Sequence, residues 1–112
     1  MLFRSLGENI ADLGGAEIAL DALHMAISRD PSKAAKIDGY TPDQRFFLSL
    51  ARIWRGSTRP ERMEVLINSD PHAPAQYRAI GSASNMPAFA KAFECKAGDA
   101  MVRGEDKRVK IW

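Results

Sequence analysis

Four consecutive residues, Thr41-Pro42-Asp43-Gln44, dictate where one helix must begin. Threonine can cap the free N–H groups of a first turn, and proline suits the first helical position because its missing N–H is not needed there. Glutamine at the third position can reach back to the capping residue's own N–H. From this start Phe46, Phe47, Leu50, Ala51, Ile53 and Trp54 follow at helical spacing, and Gly56 is placed to end the run. These apolar residues cover more than half the helix circumference, which predicts a largely buried helix.

The remainder is punctuated in the same way. Leu6 to Ser28 reads as a first helix, with Ile18, Ala19, Ala22, Leu23, Ala26 and Ile27 as its apolar stripe, closed by Asp30-Pro31. Its early glycines lower helix propensity by roughly 1 kcal/mol each relative to alanine, which suggests that another backbone packs closely there. His24 lies beside the stripe and reads as a surface or boundary residue, not a ligand. Ser32 to Tyr40 is a polar connection turning at Asp38-Gly39. A third helix is predicted over Arg59–Asn68, with Thr58 and Glu61 as a second capping box and Met63, Leu66 and Ile67 facing inward. Pro71 and Pro74 keep the next stretch irregular, so His72 is displayed from a loop or a helix start. Tyr77, Arg78 and Ile80 continue to Gly81, Ser82–Ser84 reads as a polar link, and Asn85-Met86-Pro87 opens a last helix. Val109, Ile111 and Trp112 give the tail an apolar end that should dock on the body. Strand-like alternation never exceeds a few residues, so the fold class is all-α.

Composition removes several alternatives. A chain of 112 residues with 46% hydrophobic and 27% charged residues is one domain's worth of globular protein. Its formal charge of +2 is small and scattered, which argues for no nucleic acid partner. Apolar runs fall well short of the ~20 residues of a membrane span. One cysteine, Cys95, forbids an internal disulfide and reads as a small buried hydrophobe; two histidines and one cysteine argue against a self-contained structural zinc site.

Two clusters could carry chemistry. Glu8 and Asp12 lie four residues apart and share one helix face. By spacing alone such a pair is more commonly a solvated acidic face, but beside a buried surface each acid needs a cation, a metal or a donor. The second cluster is Asp70-Pro71-His72-Ala73-Pro74-Ala75-Gln76-Tyr77-Arg78. A lone loop histidine is ordinarily structural. Arg78 offers a planar fork of donors that stays charged at every working pH, and pairing with Asp12 would join the clusters.

The strings around these residues are more specific than their spacing. Leu6–Gly15 (LGENIADLGG), Thr41–Gly56, the Asp70–Arg78 block, Ser84-Asn85-Met86-Pro87-x-Phe89, Ala92-Phe93-x-Cys95 and Val109-Lys110-Ile111-Trp112 together resemble the neprilysin/endothelin-converting-enzyme family of zinc metallopeptidases. The resemblance runs over residues 6–112, leaving 1–5 as a non-matching start. It implies the C-terminal helical lobe of a gluzincin-type catalytic domain and a zinc cofactor. Glu8 would be the third zinc ligand, and Asp12 would support the site by holding a histidine ligand supplied from elsewhere. His72 would donate to the developing oxyanion, oriented by Asp70. Arg78 would hold a substrate backbone carbonyl, while Ile53 and Trp54 would wall the pocket for the side chain after the cut bond. The partners implied are peptide substrates and a preceding part carrying H-E-x-x-H, a motif that does not occur here. Periplasmic, extracellular or membrane-anchored placement is likewise only implied.

Two departures bear on this. Animal members carry several cysteines in this region where Cys95 alone remains, Arg55 and Val109 taking other such positions, which points to a bacterial member; and Met1–Ser5 does not match the family's run-up to the glutamate. The expectation is a catalytic-domain segment of a zinc metalloendopeptidase, inactive alone and open to self-association. The alternative is a free-standing, non-catalytic helical binding or regulatory module derived from that family.

Overall fold

The computed structural model describes residues 6–111 and is all-α. Its helices are α1 (Leu6–Arg29), α2 (Pro42–Ile53), α3 (Pro60–Ser69), α4 (Ala75–Asn85) and α5 (Pro87–Ala92), with short 3₁₀ turns at Pro31–Ala34 and Glu105–Lys107. Among the described residues the one β-type pairing is a bridge between Ile37 and Tyr40. It closes the Asp38-Gly39 turn, where both residues take left-handed φ (52° and 81°) as a tight hairpin turn requires. No described helix is long and apolar enough to cross a membrane.

The capping box forms as its residues dictate. Thr41 accepts from the Gln44 N–H at 3.2 Å and Gln44 Oε1 accepts from the Thr41 N–H at 2.9 Å. The same glutamine donates through Nε2 to the Ala92 carbonyl at 2.9 Å, so one side chain starts α2 and satisfies the end of α5. Between these helices lies an aromatic cluster. Phe47 sits edge-on to Phe46 and Phe89 with centroids 5.1 and 5.3 Å away, and Phe89 reaches Phe93 at 5.1 Å. Leu13, Ala16, Leu20, Ala83 and Met86 complete the core.

Several expectations change. Helix α2 is not largely buried: only Phe47 is, and Ile53 is 71% exposed. Neighbours reach one side of α2, so Phe46 and Leu50 are only partly covered against the core while Leu48 and Ile53 face outward. For the same reason α1 buries Leu13, Ala16 and Leu20 against α4 and α2, while Ile18 of the expected stripe is exposed. No other group lies within 4 Å of where a Cβ would sit on Gly7 or Gly15, so close backbone approach does not explain those two glycines. Helix α3 begins one residue later than expected, with Arg59 as its cap and no capping hydrogen bond. Proline at position 60 favours the first helical site and holds Arg59 extended (φ −60°, ψ 145°), which excludes Thr58 as cap. Ile67 of its inward trio is exposed. Helix α4 runs unbroken through Gly81 and Ser82–Ser84, because Ser82 and Ala83 are small enough to be buried in the core region. Asn85 therefore ends α4, and Met86 caps α5. Cys95 is half-buried.

The tail docks through a polar device. Buried Asn85 donates to the Val109 carbonyl at 2.7 Å and accepts from the Val109 N–H at 2.9 Å, as a strand neighbour would. Ile111 and Met101 pack against the core, whereas Val109 is exposed. Trp112 and Met1–Ser5 lie outside the described residues.

Candidate active site

The two chemical clusters, more than fifty residues apart, meet on one side of the α1–α4 pair. Glu8 and Asp12 occupy the first two turns of α1, Asp70 and His72 the irregular stretch before α4, and Arg78 the first turns of α4. Each acid of α1 meets one base of the other cluster. Asp12 takes Arg78 in a bidentate grip, Nε donating to Oδ2 and Nη2 to Oδ1, both at 2.6 Å. Both side chains are mostly buried, at 16% and 15% exposure. Glu8 Oε2 lies 3.2 Å from His72 Nε2, and its side chain remains 42% exposed.

His72 is held from its other edge too. Asp70 Oδ1 accepts from the His72 backbone N–H at 2.8 Å and lies 2.6 Å from its Nδ1. The proline-rich loop makes this possible, because it has no helical ladder to occupy that N–H. A neutral imidazole donates to only one of its two carboxylate neighbours, whereas the charged ring donates to both. The hydrogen bond from the His72 backbone, reinforced by the one from its ring, holds the Asp70 carboxyl below the ordinary value. Hydrogen bonding to Asp12 raises Arg78 above the ordinary guanidinium range, so it carries its charge throughout.

A cavity of about 210 Å³ adjoins this group, walled by Trp54, Met63 and Leu66 with Asp70, His72 and Arg78 at its lining. Trp54, the residue that ends α2, lays its ring over the Arg78 guanidinium with 3.9 Å from Cζ to centroid. The structure thus gathers Glu8, Asp12, Asp70, His72, Arg78 and Trp54. Ile53 stands apart from the His72 cavity and lines a separate depression between α1 and α2 with Asp12 and Trp54. Sequence reasoning missed three features here: the Glu8–His72 contact, the stacking of Trp54 on Arg78, and the part Met63 and Leu66 play as cavity wall. The inward spacing of Met63 and Leu66 was the one available signal.

The profile of Peptidase family M13 matches residues 4–109. This chain belongs to peptidase family M13. It is 41% identical over 112 residues to mouse membrane metallo-endopeptidase-like 1 and 39% identical over 111 residues to Drosophila melanogaster neprilysin-3. Bovine endothelin-converting enzyme 1 is 38% identical over 98 residues. The matches cover 98%, 97% and 87% of this chain but only 14%, 14% and 13% of those M13 proteins. Mycobacterium tuberculosis zinc metalloprotease Zmp1, solved in complex with an inhibitor, superposes with a TM-score of 0.87 at 40% identity, over 95% of this chain and 16% of Zmp1. Its open-state cryo-EM structure gives 0.86. The all-α fold is therefore that of an M13 zinc metalloprotease segment.

Zinc fits this donor set in part. A half-exposed carboxylate such as Glu8 is a suitable oxygen ligand, but a zinc enzyme site takes three protein ligands. Among the described residues no three His, Cys, Asp or Glu side chains come together to hold a metal.

Proposed function

We propose that this chain supplies the third zinc ligand and the transition-state and substrate-binding groups of a neprilysin-like zinc metalloendopeptidase, with residues 6–112 as the C-terminal portion of its catalytic domain. The observation that carries the reading is the pairing of both α1 acids with both bases of the second cluster, Glu8 with His72 and Asp12 with Arg78. Two carboxylates, an imidazole and a guanidinium lie within reach of one another, which supports assigning them to a single site. When bound, zinc lowers the pKa of a water and polarises the scissile carbonyl.

The chain's own residues would do the rest. Glu8 offers a carboxylate oxygen as ligand. Asp12 keeps lone pairs beyond those given to Arg78, enough to accept from an imidazole N–H and fix that ring's orientation. Asp70 holds His72 through Nδ1, and Nε2, which meets Glu8 in this structure, would turn to donate where negative charge develops once Glu8 binds the metal. Arg78 holds a backbone carbonyl of the peptide, beside the pocket walls Ile53 and Trp54. Peptides are the substrates, and the covering partner is the protein part that bears H-E-x-x-H. Without that part the chain binds no stoichiometric zinc, cleaves nothing, and exposes apolar residues such as Ile53 that favour self-association.

The test is co-expression with an M13 segment carrying H-E-x-x-H, followed by zinc analysis and peptide-cleavage kinetics. His72→Phe should lower kcat by a factor of ~10²–10³ with KM and zinc unchanged. Glu8→Gln should lower zinc occupancy along with activity, and Arg78→Ala should mainly raise KM. Near-full kcat in His72→Phe would remove the oxyanion role. An assembled complex that binds zinc but cuts no peptide would favour the non-catalytic module.

A further inference from the structure

We propose that Trp54 is a positioning residue for Arg78: its indole face sets the plane in which the guanidinium offers its free edge. The inference rests on the reading that Arg78 holds a substrate carbonyl, and it gives Trp54 a role beyond lining a pocket.

The geometry requires such a residue. Two parallel hydrogen bonds from Nε and Nη2 to Asp12 fix one edge of the guanidinium. They leave the group free to swing about the line of that edge, and the swing changes where Nη1 points. Among the described contacts Nη1 makes no hydrogen bond, so Asp12 does not settle its direction. The Trp54 ring, 3.9 Å from Cζ, blocks the swing on one side and attracts the cation to its face. Arg78 is only 15% exposed, so the ring acts on a largely desolvated charge, where such contacts are strongest.

The backbone places Trp54 for this task. It is the C-cap of α2, at φ −91° and ψ 1°, with its N–H bonded to the Arg52 carbonyl. Its position is thus set by the helix end, whereas Asp12 is set by α1 and Arg78 by α4. Three separate elements converge on one guanidinium. A bulky apolar residue at position 54 would also fill the space, but only an aromatic ring both fills it and holds the charge.

The experiment compares two substitutions of similar bulk in the 112-residue chain, Trp54→Phe and Trp54→Leu, by ¹⁵N–¹H spectroscopy of the Arg78 Nε–H. Circular dichroism checks that each variant is folded. The wild type should show a ring-current-shifted, slowly exchanging Nε–H, and Trp54→Phe should keep both properties. Trp54→Leu should lose the shift and exchange about five- to thirtyfold faster. Equal exchange in the phenylalanine and leucine variants would overturn the proposal, because packing alone would then hold the side chain. The measurement needs no substrate, so it can fail while Arg78→Ala still raises KM, and the reverse.

Discussion

Removing the Asp12 carboxylate should unfasten α1 from α4, and the structure sets the size of the loss. The pair spans 66 residues of sequence, is bidentate at 2.6 Å, and leaves each side chain about one-seventh exposed. A hydrogen bond to a charged group contributes about 1.5–3 kcal/mol net. Removing one partner of a fully buried ion pair costs about 3–5 kcal/mol, because the other charge is left without compensation. Residual solvent at this site lowers that figure, so Asp12→Ala should cost about 3 kcal/mol. Asp12→Asn should cost about 2 kcal/mol, since the amide keeps one acceptor but turns its NH₂ toward the second Arg78 donor. For a domain of this size 3 kcal/mol corresponds to a fall in Tm of about 12–20 °C.

The assay is urea unfolding followed by far-UV circular dichroism, run as a double-mutant cycle with Arg78→Met. A coupling of about 2 kcal/mol between positions 12 and 78 is expected, with the double variant more stable than the sum of the single losses allows. A loss below 1 kcal/mol in Asp12→Ala, or a cycle that closes without coupling, would refute the view that this pair fastens the two helices.

Three further outcomes follow from the same geometry. Thr41→Ala removes the accepting half of the α2 capping box and should lower stability by about 1 kcal/mol in the same urea assay, with Thr41→Ser restoring most of it. Asn85→Ala deletes both hydrogen bonds to Val109 and should cost about 2 kcal/mol, and hydrogen exchange at the Val109 amide should accelerate well beyond that of α2. Asp70 is held below its ordinary value of 3.8 by the hydrogen bonds from His72. Its contribution to stability is therefore complete above that value and lost as the pH falls through the lower folded value. Carboxyl NMR titration should show Asp70 protonating at lower pH than in a His72→Ala variant, where the shift should shrink.

The local pattern along the chain determined most of the elements. A capping box needs only four residues and a following apolar run, so the start of α2 was legible, as were the ends of α1 and the Asp38-Gly39 turn. The all-α class followed from helical spacing, and the M13 family from the strings around Glu8, His72 and Arg78. The neighbourhood of Asp12 and Arg78 could be anticipated as well, since a carboxylate beside a buried face needs a cation. Other features belong to packing, which no local pattern contains. Whether an apolar residue is covered depends on which helices arrive beside it, which is why Ile18 and Ile53 face outward while Ser82 and Asn85 are buried. Gly81 did not end α4 because burial of its small neighbours against the core outweighs a propensity cost of about 1 kcal/mol. Trp54 over Arg78, Glu8 against His72, and Asn85 clasping Val109 each join elements whose relative placement depends on the whole core. Sequence spacing supplied the chemical groups; only the convergence of α1, α2 and α4 decided which of them touch.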